Sequence, residues 1–217
     1  MRLFLSSYRF VGEPEVFARL VRKPGRIAVI ANAADAWPAT ARAAAVTSEL
    51  GPLRSLGFSP EEVDLRTHLD DPGSLRARLD GFGAVWVRGG NTFVLRAQLA
   101  RSGADAVLTE LVREDRLVYG GYSAGACVVT PSLRGLEFSD DPGEVDTACG
   151  TSALWDGLGW IDHAIVPHAG GSVLADDGVI ESLRYLREHG IAHVALTDDD
   201  VLVVDTAQGG APGTVNP

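Results

Sequence analysis

Short runs of aliphatic and β-branched residues alternate along this chain with longer segments whose apolar residues recur at helical spacing. Parallel strands need crossovers long enough to hold a helix, so this alternation predicts an α/β fold, a mostly parallel sheet flanked by helices. The runs that read as strands are Leu3 to Ser7, Arg26 to Asn32, Glu62 to Arg66, Ala84 to Arg88, Leu117 to Gly121, Ile161 to Pro167 and Val201 to Asp205. Glu13 to Val21, Thr40 to Leu56, Thr92 to Arg101, Ala104 to Arg113 and Val179 to His189 read as helices. In the last of these, Ile180, Leu183 and Leu186 fall on one face, with Asp176 and Asp177 as candidate caps. From Val194 to Asp205 two apolar runs flank Asp198-Asp199-Asp200, which predicts an antiparallel hairpin at the sheet's end. The three aspartates read as a solvated turn, since neither a glycine nor further ligands follow at calcium-loop spacing.

The 217 residues suit a single domain over 1–217, long enough to bury one core without disulfide staples. No repeat or low-complexity linker divides it. With 19 basic against 29 acidic residues the formal charge is −10, which repels phosphate backbones and excludes nucleic acid as an expected partner. Cys127 and Cys149 make neither a disulfide framework nor a metal-ligand pattern. The N-terminal residues lack a signal peptide's apolar stretch, and no run approaches the ~20 apolar residues of a membrane span. The expectation is a cytoplasmic protein with no membrane partner. Assembly as a homodimer is left open.

Chemistry concentrates at Gly121-Tyr122-Ser123-Ala124-Gly125, which follows an apolar strand and opens a helix. Strand, tight turn and helix start are the context of a G-x-S-x-G nucleophile elbow, where small neighbours let a strained turn project the serine oxygen. The N–H of Ala124 then faces the place where an oxyanion would form. Twenty-five glycines also make a chance match in an ordinary turn credible, so the motif needs partners. A serine hydroxyl needs a base, and His168 is the candidate among five histidines, because it ends a strand beside Ala169-Gly170-Gly171. His163 at the strand's other end, His68 in a polar loop, and His189 and His193 around Gly190 read as structural or solvated.

A third member should be a carboxylate that orients the imidazole. Glu137, Asp140, Asp141, Glu144 and Asp146 all fall in the irregular stretch Leu133 to Gly159, a long loop with short inserts after the elbow. Glu137 ranks first, ahead of Asp140 and Asp141. A second glycine pair, Gly89-Gly90 in Arg88-Gly89-Gly90-Asn91-Thr92-Phe93, ends another strand and suits the other half of an oxyanion hole. Asn91 or Thr92 would serve equally well as the cap of the following helix. Neither loop carries a phosphate-binding fingerprint.

Taken together, Val87-Arg88-Gly89-Gly90-Asn91-Thr92-Phe93, Gly121-Tyr122-Ser123-Ala124-Gly125-Ala126, Gly157-Leu158-Gly159 and Pro167-His168 resemble the successive motifs of the peptidase E and cyanophycinase family of serine peptidases. The resemblance runs from about Leu3 to Asp205. It implies a three-layer sandwich similar to class I glutamine amidotransferases, a Ser-His-acid arrangement and cleavage of short peptides, with an N-terminal Asp in dipeptidase members. It makes Ser123 the nucleophile, His168 the base, and Gly90 and Ala124, with Gly89 beside them, the oxyanion donors. The family's acid position falls on Phe138, one residue from Glu137, with Asp140 and Asp141 close by. The arginine that dipeptidase members use for the substrate Asp falls on Ser182, with Arg184 nearby. Asn91 and Arg184 are the candidate substrate-binding residues.

The expected activity is therefore that of a serine peptidase, dipeptidase-like, acting on short peptides without metal or cofactor. Two other readings stand beside it: an α/β-hydrolase-type esterase, disfavoured by the short Ser123 to His168 interval, and a non-catalytic amidotransferase-like binding domain.

Overall fold

A computed structural model of the chain describes residues 1–10, 14–170 and 177–206, and the backbone of 213–215. Strands β1 (Arg2–Ser6), β2 (Arg26–Ile30), β3 (Ser59–Glu62), β4 (Ala84–Val87) and β5 (Val118–Tyr122) run parallel in the order β3-β2-β4-β5-β1. Every residue of β1, β4 and β5 is buried, as expected of parallel strands covered on both faces. Alternate side chains enter two separate cores. Leu3, Leu5, Val85 and Val87 pack on one face, and Phe4 and Trp86 on the other.

Helices α1 (Pro14–Val21) and α2 (Ala39–Ser55) cover the second face, where Phe17 and Leu53 join Phe4, Trp86 and Tyr122. On the first face lie α3 (Pro72–Leu79), α4 (Thr92–Ser102), α5 (Ala104–Arg113) and the single turn α6 (Ala124–Cys127). A glycine joins α4 to α5: Gly103 adopts φ +71°, and a Cβ there would also strike Pro72 at 2.7 Å. No helix among the described residues is long and apolar enough to cross a membrane.

Three local expectations are corrected. The expected strand Glu62 to Arg66 begins earlier, at Ser59, and ends where the Asp64 side chain accepts from Arg66 N and turns the chain into a 3-10 helix, Leu65–His68. Pro60 is tolerated because β3 is an edge strand. Val194 to Asp205 is not a hairpin. Strand β7 (His193–Ala195) pairs in parallel with β6 (Ala164–Val166) in a separate two-stranded sheet, while β8 (Val201–Asp205) runs antiparallel to β1 and carries β9 (Gly213–Val215). The irregular stretch after the elbow holds, as a short insert, α7 (Glu144–Cys149). In α8 (Asp177–Glu188) the buried face is Val179, Ser182 and Leu186, and Ile180 is 64% exposed. Glu13, Asp176 and Gly171 lie outside the described residues.

Polar groups close the ends of β2 and β3. Arg42 pairs with Asp35 at 2.6 Å, Glu62 at 2.8 Å and Asp64 at 3.3 Å, while Asn32 Nδ2 donates to Asp35 and Asp64. Burial pushes the Asp64 carboxyl up, but hydrogen bonds from Arg66 and Asn32 and the charge of Arg42 outweigh it and hold the group at about 2. A depressed folded-state value adds stability above the unfolded value near 3.8, and that stability is lost as pH falls towards 2. In urea unfolding, the stability gap between wild type and Asp64→Asn should close by about 1–2 kcal/mol between roughly pH 5 and pH 2, solvent screening included. A gap independent of pH would show that the charge contributes nothing.

Candidate active site

Ser123 stands between β5 and α6 with φ +50° and ψ −116°, a conformation that costs a non-glycine residue about 1–3 kcal/mol. Its backbone is held on both sides: Ser123 N donates to Ser6 O, and its carbonyl accepts from Ala126 N and Cys127 N at 2.8 Å each. The flanking glycines are required by contact. A Cβ on Gly121 would lie 2.5 Å from Gly125 O, and one on Gly125 would lie 2.3 Å from Val87 O. Only glycine lets β4, the elbow and α6 meet backbone to backbone.

His168 follows β6 and approaches from the small sheet. Its Nε2 lies 3.2 Å from Ser123 Oγ, and its Nδ1 lies 2.6 Å from Asp198 Oδ1. A carboxylate oxygen accepts, so Nδ1 carries the hydrogen and Nε2 faces the serine with its lone pair. Buried Ser7 braces both partners: its hydroxyl accepts from His168 N at 2.7 Å and donates to Asp198 Oδ1 at 3.2 Å. The ring of Tyr8 stands edge-on to both His168 and Tyr122.

The carboxylate beside His168 is thus Asp198, one of the three aspartates read from sequence as a solvated turn. Its neighbour Asp200 does make the turn, accepting from Thr197 N and Oγ1. Glu137, Asp140 and Asp141 make other bonds. Glu137 accepts from Gly135 N within its own turn, Asp140 accepts from Thr92 N at 2.9 Å, and Asp141 accepts from Gly143 N at 2.8 Å. Their loop packs on the start of α4 and on α8, whereas His168 Nδ1 faces the connection between β7 and β8. Asp140 still borders the cavity, where burial pushes its carboxyl up against the opposing hydrogen bonds from Thr92.

The cavity over Ser123 has a volume of about 370 Å³. Tyr8, Arg9, Trp37 and Arg88 line it together with Cys127, Leu136, Val166 and Val179. Gly89 and Gly90 form its wall beside the serine: a Cβ on Gly89 would sit 2.9 Å from Ser123 Cβ. Cys127 is no rival nucleophile, because its Sγ is directed at Ile165 O and burial pushes the thiol well above its usual range, away from the reactive thiolate. Among the described residues no group of three or more His, Cys, Asp or Glu side chains is arranged to hold a metal ion.

Comparison with known proteins gives the family. The model of peptidase family S51 matches residues 25–208. The chain belongs to peptidase family S51. As a member it is a serine-type peptidase. An uncharacterized peptidase of Listeria innocua is 28% identical over 162 residues, covering 72% of this chain and 74% of the relative. Peptidase E of Streptomyces coelicolor is 43% identical over 72 residues, 33% of this chain and 29% of the relative. Among solved structures, a Listeria monocytogenes protein provisionally assigned as a peptidase E superposes with TM-score 0.79 at 23% identity, covering 100% of this chain and 98% of the other. A peptidase from an acI-B1 Actinobacterium gives TM-score 0.67 at 17% identity, over 100% and 87%. The fold is accordingly the class I glutamine amidotransferase-like arrangement of helices on both faces of a mostly parallel sheet.

In this S51 peptidase the two residues expected to bind substrate are engaged elsewhere. Asn91 caps α4, accepting from Phe93 N and Val94 N, while its Nδ2 donates to Asp141 O and to Glu144. Arg184 is exposed on α8 and pairs with Glu181 and Glu188. Ser182, at the family's arginine position, is buried and donates to Gly178 O. The cations at the cavity are instead Arg9 and Arg88. The signal for Asp198 was available in principle: it follows the end of β7 just as His168 follows the end of β6.

Proposed function

We propose that this S51 peptidase hydrolyses short peptides through an acyl-enzyme on Ser123. The observation that carries the reading is the continuous line Ser123 Oγ, His168 Nε2, His168 Nδ1 and Asp198 Oδ1. Ser123 Oγ attacks the scissile carbonyl carbon as its proton passes to His168 Nε2. Charge collects on the carbonyl oxygen, for which the N–H groups of Gly90 and Ala124 are the donors. Neither has an acceptor among the described residues. Collapse breaks the C–N bond, and the proton on Nε2 leaves with the amine. Water then attacks the ester, gives its proton to Nε2 and restores Ser123. Asp198 holds the imidazole in the required tautomer and stabilises it when charged.

A cavity of about 370 Å³ fits a substrate of a few residues, and mixed aromatic and cationic walls suit a short peptide with a free carboxylate. Arg9 is suited to that carboxylate: among the described residues its guanidinium makes one hydrogen bond, to Ser48 Oγ, and lies over the Tyr8 ring. A fluorophosphonate probe tests the nucleophile. Wild type is expected to take one label on Ser123, and His168→Ala to lose it. In a substrate panel, dipeptides should be cleaved in preference to long peptides and simple esters. Labelling elsewhere, or ester turnover exceeding dipeptide turnover, would overturn the reading.

A further inference from the structure

Arg88 enters the cavity wall from the end of β4, yet its guanidinium is committed to the protein. Nη1 donates to Gly89 O at 2.8 Å, Nε donates to Glu49 Oε1 at 3.3 Å, and its Cζ lies 5.0 Å from the centre of the Trp37 ring. Glu49 is 1% exposed and has further donors in Trp86 Nε1 at 3.0 Å and Tyr122 OH at 2.9 Å. Three side chains, Trp86 of β4, Arg88 just after it and Tyr122 of β5, thus converge on one buried carboxylate of α2. It reaches the site through Tyr122, next to Ser123, and through the guanidinium, which hands the constraint on to a backbone carbonyl. The reaction described above uses none of these groups.

Gly89 O belongs to the same planar peptide as the Gly90 N–H, and in a trans peptide the two point in opposite directions. Fixing the carbonyl therefore fixes the N–H. This peptide needs fixing, because glycine stands on both sides of it and a Gly-Gly unit rotates with little steric resistance. Gly90 itself is held at φ +150° against Ala33, whose carbonyl would be 2.5 Å from any Cβ and accepts from Asn91 N. That contact anchors the far side of Gly90 and leaves the peptide's rotation to the other end, where Arg88 acts.

We propose that Arg88, locked by buried Glu49, is a positioning residue that keeps the Gly89-Gly90 peptide turned with its N–H towards the oxyanion. The inference rests on the acyl-enzyme reading of Ser123. With the guanidinium gone, the peptide is free to turn its carbonyl to the site and set a negative dipole against the developing charge. The loss then falls on the transition state and spares the bound substrate.

The test compares Arg88→Met, Glu49→Gln and wild type on a cleaved dipeptide, a peptide aldehyde that forms a tetrahedral adduct, and a reduced-amide peptide that has no carbonyl. Arg88→Met should lower kcat by about 10² to 10³-fold, the range for one lost oxyanion donor, with KM within about threefold. Aldehyde affinity should fall by a comparable factor and reduced-amide affinity should not change. Glu49→Gln should shift the same quantities in the same direction by less. Should Arg88→Met not fold, Arg88→Lys keeps the charge but cannot span Glu49 and Gly89 O together, and it should show the same kcat loss. Wild-type kcat in either folded Arg88 variant overturns the positioning role, and so does a raised KM with equal loss of all three ligands, which would make Arg88 a direct substrate contact. If Ser123→Ala keeps turnover, the acyl-enzyme reading fails instead, so the two failures are distinct.

Discussion

Ser123→Ala is expected to lower hydrolysis of short peptides by about 10⁴ to 10⁶-fold while leaving the protein folded, since removal of a serine nucleophile costs on that scale and only oxyanion and binding contributions survive it. The fold should tolerate the change because the elbow is held by backbone: Ser123 N bonds to Ser6 O, and the serine carbonyl receives two N–H groups. Its Oγ has one described partner, His168 Nε2, so alanine leaves no buried network open behind it. Turnover of a dipeptide panel and the thermal midpoint are the two measurements. Retained turnover in a folded variant would remove Ser123 from the chemistry.

Asp198→Asn should lower kcat about 10³ to 10⁴-fold. The amide matches the carboxylate in shape but can present an N–H to His168 Nδ1, which drives the ring to the tautomer whose Nε2 cannot accept the serine proton. Glu137→Gln is the internal control. Its carboxylate bonds to Gly135 N in its own turn, and kcat should stay within about threefold of wild type. Steady-state kinetics on the two variants decide between the acid chosen by geometry and the acid chosen by sequence position. A large loss in Glu137→Gln with none in Asp198→Asn would reverse the assignment.

The contrast between these residues shows how far the sequence can be read. Ser123 was legible because its constraint is local: the glycines that permit the strained turn stand two residues to either side. His168 was legible because a strand end beside small residues marks it. Asp198 was hidden by a wrong partnership of strands. With Val194 to Asp205 taken as one hairpin, the aspartates fall on a solvent-facing tip. In the structure β7 goes to β6 and β8 goes to β1, so the chain between them crosses His168. Pairing over such distances leaves no mark in local periodicity. The same limit explains α8, where an apolar count placed Ile180 inward but the helix is rotated so that small, polar Ser182 faces the protein. Helix α3 was missed although its signal was local, with Asp71 accepting from Ser74 N and Pro72 opening the first turn.

The two small strands carry a consequence for how such an enzyme can vary. His168 and Asp198 extend from the ends of parallel neighbours β6 and β7, while the nucleophile is anchored in the large sheet, to which Ser7 also ties the pair. The segment from Val128 to His163 leads from the elbow to the small sheet, and a change in its length would shift His168 relative to Ser123. Such a lineage could lose hydrolysis in one step while keeping both sheets, the cavity and the His168–Asp198 pair intact. A protein descended that way would present a complete-looking dyad beside a serine just out of reach, and the Ser123 to His168 distance, more than the presence of the three residues, would separate working relatives from silent ones.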